Sequence, residues 1–282
     1  GGLGRSEAWA CWYTKERRRS HCGPDAKHRP ESWNVRPAGL SNQVPIGGIP
    51  TNETKGRMGQ FRFLSAGESH GRGLTALVEG IPAGVPISED YIQTDLARRQ
   101  RGYGRGGRME IEQDRAEITS GIRHGLTMGS PISMLIWNRD WETGGDPDKV
   151  AWTDVMSTTP TTVEYNRITR LRPGHADTPG ISKYQQNDAR NILERSSARE
   201  SAARVAAGAL ARRMLESFGI QIRSQVLGIG GVHARHVERP DWSRVEESRV
   251  RCADAEAEEQ MVAAIDAASE AGDSLGGVIE VV

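Results

Sequence analysis

Residues 61–81 read FRFLSAGESHGRGLTALVEGI, and this stretch sets the architecture. Phe61 to Ala66 predicts a short strand, Gly67-Glu68-Ser69-His70-Gly71 a tight turn, and Leu74 to Ile81 a second strand. Pro82, Gly84 and Pro86 then break the chain before Ser88, a good N-cap with Glu89 and Asp90 in the first turn behind it. Ile92 and Leu96 stand four apart on that helix and give it a narrow buried stripe.

Moving outward, residues 98–108 (RRQRGYGRGGR) hold five arginines and four glycines in eleven positions, a cationic loop. Met109 to Ile122 alternates like a strand, Ile132 to Trp137 reads as a buried strand, and 138–166 reads as irregular surface chain. A loop is expected around Arg170–Asp177. Ser197 to Ser217 is the best helix: Ser197 and Glu200 form a capping box, Val205, Ala206, Ala209, Leu210 and Met214 make an apolar face, and Gly219 ends it. A second helix is expected from Asp254 to Ala271, with Met261, Ile265 and Ala268 inward and Gly272 as its stop. The chain then runs through Gly276–Val282 and stops in strand-like sequence, so a continuation is expected beyond it.

The bulk composition excludes several classes. There are 37 basic and 37 acidic residues, so net charge gives no pull toward nucleic acid or an anionic membrane. No apolar run approaches the ~18–20 residues that span a bilayer. Cys11, Cys22 and Cys252 lack metal-ligand spacing and cannot all pair, which fits a reduced, cytoplasmic setting. Residues 1–57 lack the apolar core of a secretory signal, carry Arg17-Arg18-Arg19, and are expected to be a disordered extension, with the domain proper over 58–282.

Three clusters could do chemistry, and all suit an anionic, phosphorylated ligand. Ser69-His70 lies in a turn whose glycines admit close approach, and an imidazole transfers protons near neutral pH; a capping or surface histidine is the competing reading. The arginines of 98–108 suit phosphate or carboxylate, or loose RNA binding of an RGG-like segment. Gly102, Gly104 and Gly107 match G-x-G-x-x-G, but a helix precedes them and strand-like sequence follows, so the dinucleotide fingerprint is rejected and a pyridine-nucleotide oxidoreductase with it. The third cluster joins Arg172-Pro173-Gly174-His175-Ala176-Asp177 to Arg195-Ser196-Ser197, the latter expected at an anion-attracting helix N-terminus. Asp177 could orient His175 or counter Arg172. No third ligand supports a metal at His175 and Asp177, and no metal site is expected.

In order and separation, FRFLSAGESHG (61–71), DLARRQRGYGRGGRMEIEQD (95–114), SGIRHGLTMGSPI (120–132), RPGHAD (172–177), KYQQNDARN (183–191) and RSSARESAARVAAGA (195–209) resemble the chorismate synthases, bacterial branch. The resemblance implies an α+β fold, a β-α-β sandwich incomplete at the C-terminus, and a homotetramer. It implies trans-1,4-elimination of phosphate from 5-enolpyruvylshikimate 3-phosphate with reduced FMN and no net redox change. By similarity, His70 would protonate the departing phosphate, Ser69 would belong to a proton relay, and His175 would manage the reduced flavin's charge or proton. Arg99 and Arg105 would contact the substrate's anionic groups, or a pyridine nucleotide, which leaves NADPH open as the reductant. Arg195, Ser196 and Ser197 would bind FMN. Gln185 and Ser201 depart from the family's usual Gly and Thr. The family's C-terminal third, with further flavin-binding residues and the carboxylate partner of the relay serine, has no counterpart here, so FMN binding and turnover by this chain alone stay open.

Overall fold

The computed structural model describes residues 12–14, 60–104, 113–143 and 150–282. All of them lie in one unit, Gly1–Thr14 with Gly59–Val282; the second unit, Lys15–Met58, falls outside the described residues. So do Arg105 and, apart from Trp12–Thr14, the extension expected to be disordered.

In chain order the strands and helices begin with β1 (Trp12–Thr14), β2 (Arg62–Ala66), β3 (Gly73–Glu79) and α1 (Glu89–Gln100). There follow β4 (Ala116–Ser120), β5 (Ile122–Arg123), β6 (Leu126–Thr127), β7 (Ile132–Trp137), and short helices α2 (Asp140–Thr143) and α3 (Trp152–Val155). Next come α4 (Asp177–Tyr184), α5 (Arg190–Ser196), a 3-10 turn (Ala198–Glu200) and α6 (Ser201–Glu216). The chain closes with β8 (Ser224–Ile229), β9 (Val232–His233), α7 (Trp242–Glu247), α8 (Ala255–Ala271) and β10 (Gly277–Val281).

The strand–turn–strand unit of residues 61–81 is the start of an antiparallel sheet of order β2-β3-β7-β4. Period-two alternation puts Leu74, Ala76 and Val78 of β3 on one face, opposite Ile136, Met134 and Ile132 of β7. Helices α1 and α6 cover that face: Ile92 and Leu96 from α1, and Ala202, Ala203, Ala206, Ala207, Ala209 and Leu210 from α6. A helix face of alanines lets its backbone come close to the strands, and each large apolar side chain buried there contributes roughly 1.5–3 kcal/mol. The opposite face leaves Leu64 and Trp137 exposed. The second sheet, order β1-β10-β8-β9, packs on α8 over Val226, Val250, Cys252, Ala257, Met261 and Val262. This mixture of helices and largely antiparallel sheets is the expected α+β class.

Several local expectations need correction. The alternating run to Ile122 is not one strand: β4 shifts register after Ile118, and the chain turns at Gly121 into the small β5-β6 hairpin. Gly121 has φ +84°, and a Cβ there would sit 2.6 Å from the Pro131 carbonyl oxygen, so only glycine makes the corner. The stretch 138–166 carries α2 and α3, and the expected loop ends at Asp177, where α4 begins. The helix expected from Ser197 starts at Ser201; Ser197 instead caps the 3-10 turn by accepting the Arg199 N–H at 3.3 Å. Glu200 does not complete a capping box, because its carboxylate is drawn to Ser65, Arg195 and Arg204. Ser88 does cap α1 (3.2 Å to the Tyr91 N–H), and Gly219 and Gly272 take left-handed conformations past the ends of α6 and α8. Among the described residues no helix is long and apolar enough to cross a membrane.

Candidate active site

The turn after β2 carries Ser69 and His70, and it is held from two sides. Asn138, at the end of β7, donates through Nδ2 to the carbonyls of Glu68 (3.0 Å) and Gly71 (2.7 Å). From α5, the Glu194 carbonyl accepts the Ser69 N–H at 3.0 Å, and the Glu194 carboxylate accepts the His70 N–H at 2.9 Å. His70 Nδ1 lies 2.9 and 3.0 Å from the two Glu194 oxygens, and its ring stacks on Trp152 with centroids 3.9 Å apart. Nε2, on the far edge, faces the Asp140 carboxylate at 3.8 Å. Arg190, one helical turn before Glu194, donates to it at 3.1 Å and lies over the Trp152 ring. Burial pushes the Glu194 carboxyl up, but the His70 hydrogen bonds and the charges of His70 and Arg190 outweigh it and hold the group below the usual carboxylate range.

Directly after Glu194 comes the segment Arg195–Ser197. Its placement differs from the expected helix N-terminus: Arg195 and Ser196 are the last residues of α5, and Ser197 bridges to the 3-10 turn. Arg195 donates through Nη2 to the Ser65 carbonyl and hydroxyl, both at 2.8 Å, and through Nη1 to Glu200. Ser196 is exposed and Ser197 half-buried.

Arg99 comes from the end of α1 to the same junction. It donates to Ser201 Oγ (2.8 Å), Asp114 (2.8 Å) and the Ala198 carbonyl (3.3 Å), and its side chain is only 8% exposed. Asp114, fully buried, also pairs with Arg199, which donates in turn to Asn138 Oδ1 at 2.8 Å. Two guanidiniums share one carboxylate, so the interior behind the junction keeps an excess of positive charge. An unbroken polar chain therefore runs from Arg99 through Asp114, Arg199 and Asn138 to the His70 turn.

His175 forms a second centre at the start of α4. Its Nδ1 is 2.5 Å from the buried Asp177 carboxylate, which also accepts the Arg172 backbone N–H (3.0 Å) and Nε (3.2 Å). Asp177 thus both orients His175 and counters Arg172, so the two alternatives hold together. The structure brings Ser69, His70, Arg99 and Arg195–Ser197 onto the α5–α6 junction, with His175 separately placed on α4.

Sequence reading missed Ser65, Asp114, Asn138, Asp140, Trp152 and Glu194. The i, i+4 spacing of Arg190 and Glu194 was the one local signal for the last of these. Among the described residues, no group of three or more His, Cys, Asp or Glu is placed to hold a metal ion.

Against known proteins, the chorismate synthase family model matches residues 61–282. The chain is 54% identical over 224 residues to a chorismate synthase of Moorella thermoacetica, covering 78% of this chain and 56% of that protein. It is 50% identical over 231 residues to one of Bacillus subtilis, covering 79% and 57%. A crystal structure of chorismate synthase superposes with a TM-score of 0.60 at 42% identity, covering 78% of this chain and 57% of that one. The chain thus spans a little over half the length of the curated relatives it matches. With the matched region beginning at the strand that leads into the His70 turn and running through every cluster above, the chain belongs to the chorismate synthase family.

Proposed function

We propose that the chain is the part of a chorismate synthase that holds the proton donor and an anion-binding junction, serving trans-1,4-elimination of phosphate from 5-enolpyruvylshikimate 3-phosphate. One observation carries this reading: the turn with Ser69 and His70 is hydrogen-bonded to the same α5–α6 junction that carries Arg195–Ser197 and receives Arg99. Proton donor and cationic surface are therefore held at a fixed mutual distance, as expulsion of a phosphate dianion requires.

The donor set suits FMN, whose phosphate calls for guanidinium and hydroxyl groups. Arg195, partly exposed beside the exposed Ser196 and half-buried Ser197, supplies them. When bound, reduced FMN supplies transient electron density to the breaking C–O bond. This chain's own residues do the rest: His70 passes a proton to the leaving phosphate, and Ser69 belongs to the relay that restores it. His175, with Nδ1 held by Asp177, offers the flavin a ring whose orientation is fixed. Arg99 reaches the substrate's anionic side indirectly, since its guanidinium is committed to Asp114 and the Ala198 carbonyl; the excess positive charge it leaves on the interior attracts the anion. Arg105 as a second substrate or pyridine-nucleotide contact, NADPH as reductant, homotetrameric assembly and a cytoplasmic setting belong to the same proposal.

The test is anaerobic phosphate release from 5-enolpyruvylshikimate 3-phosphate with reduced FMN, using a protein of full family length that carries these residues. His70→Ala is expected to cost roughly 10²–10⁴-fold in turnover. No release by protein that has bound reduced flavin would overturn the reading.

A further inference from the structure

His70 is gripped by residues far away along the chain. Glu194, 124 positions on, meets both its backbone N–H and its Nδ1, while Trp152 lies flat against the ring at an interplanar angle of 17°. The Glu194 side chain is 1% exposed. Its two oxygens meet donors: the His70 N–H, His70 Nδ1 and Arg190 Nη1. A carboxylate in that setting can only accept, so Nδ1 carries a hydrogen, and the ring's other nitrogen faces away across the Asp140 side.

We propose that Glu194 is the positioning residue of His70: it fixes the Nδ1–H tautomer and, with Trp152 holding the ring plane, makes Nε2 the atom that passes the proton. This rests on the reading of His70 as the acid. In the transfer, the Nε2–H bond breaks, its electron pair stays on nitrogen, and the proton goes to the leaving phosphate oxygen. The neutral ring keeps Nδ1–H on Glu194, and Nε2 regains a proton from solvent or the relay. A purely structural staple between α5 and the turn is already provided by the bonds to the Ser69 and His70 backbone N–H groups. The contact of both carboxylate oxygens with Nδ1 adds nothing to such a staple, but it does set the tautomer. Replacement by glutamine is informative because the amide keeps the shape yet must turn its NH₂ toward at least one of those three donors.

The experiment is long-range ¹H–¹⁵N NMR of the histidine side chains in the 282-residue chain, with His70 assigned by its loss in His70→Gln. Neutral His70 is expected as the Nδ1–H tautomer, and Glu194→Gln is expected to lower the Nδ1–H to Nε2–H ratio at least about tenfold while the circular dichroism spectrum is unchanged. An Nε2–H tautomer in the unsubstituted chain overturns the proposal, whether or not the variant folds. An unchanged ratio in a folded Glu194→Gln variant overturns it equally. The measurement needs neither flavin nor turnover, so a failed phosphate-release assay would strike the proposed function and leave this result standing.

Discussion

At the scale of single residues, buried carboxylates do most of the organising. Burial pushes the Asp177 carboxyl up, but the side-chain and backbone donors of Arg172 and the His175 hydrogen bond hold it below its ordinary 3.8, and Glu194 is likewise held below its ordinary 4.5. A carboxyl depressed in the folded state stabilises the fold above its unfolded pKa, and that stabilisation is lost as pH falls through the lower, folded value. Thermal unfolding temperature should therefore hold steady above about pH 4.5 and fall below it. Asp177→Asn should flatten part of that fall and cost about 2 kcal/mol at pH 7 in urea unfolding, through the lost charged hydrogen bonds. Of these residues, Asp177 was legible because its partners lie two and five positions away. Glu194 and Asp114 were not, because their partners come from other elements, and no local pattern encodes a meeting 124 residues apart.

At the scale of elements, α6 shows what sequence periodicity captures. The apolar face of Ala206, Ala209 and Leu210 was readable and is buried against β3 and α1. Leu210→Ala should cost about 2–5 kcal/mol in urea unfolding, since the alanines around it leave little that can collapse into the space. The helix's start was misread for a physical reason: Ser197 and Glu200 fit the capping-box spacing, but Ser65 and two arginines outbid the backbone for the Glu200 carboxylate. The short helices α2, α3, α4 and α5 escaped because seven or eight residues at most give too little periodicity, and their stability comes from packing.

At the scale of the whole unit, the two sheet-and-helix layers are tied by the chain leaving α1. Arg98 reaches Glu246 of α7 at 3.1 Å, and Tyr103 donates to Asp266 of α8 at 2.9 Å while its N–H reaches the Arg249 carbonyl. Tyr103→Phe combined with Arg98→Ala should speed amide hydrogen exchange across α8 while leaving β3 and β7 protected, because only the tie between layers is cut. Each layer's elements were readable from hydrophobic pattern; the tie was not, since Tyr103 sits in a segment whose composition read only as a cationic loop.

The α5–α6 junction has one more consequence, for the tolerance of the chain to changes in length. Between Glu194 and Ser201, six of eight successive residues reach different parts of the unit: Glu194 the His70 turn, Arg195 and Glu200 Ser65, Ala198 and Ser201 Arg99, and Arg199 Asp114. A single inserted residue would rotate everything after it by about 100° about the helix axis, so contacts on one side of the insertion could be kept only by giving up those on the other. Substitutions here remove one contact at a time, whereas an insertion or deletion uncouples the proton donor from the anion-binding residues in one step.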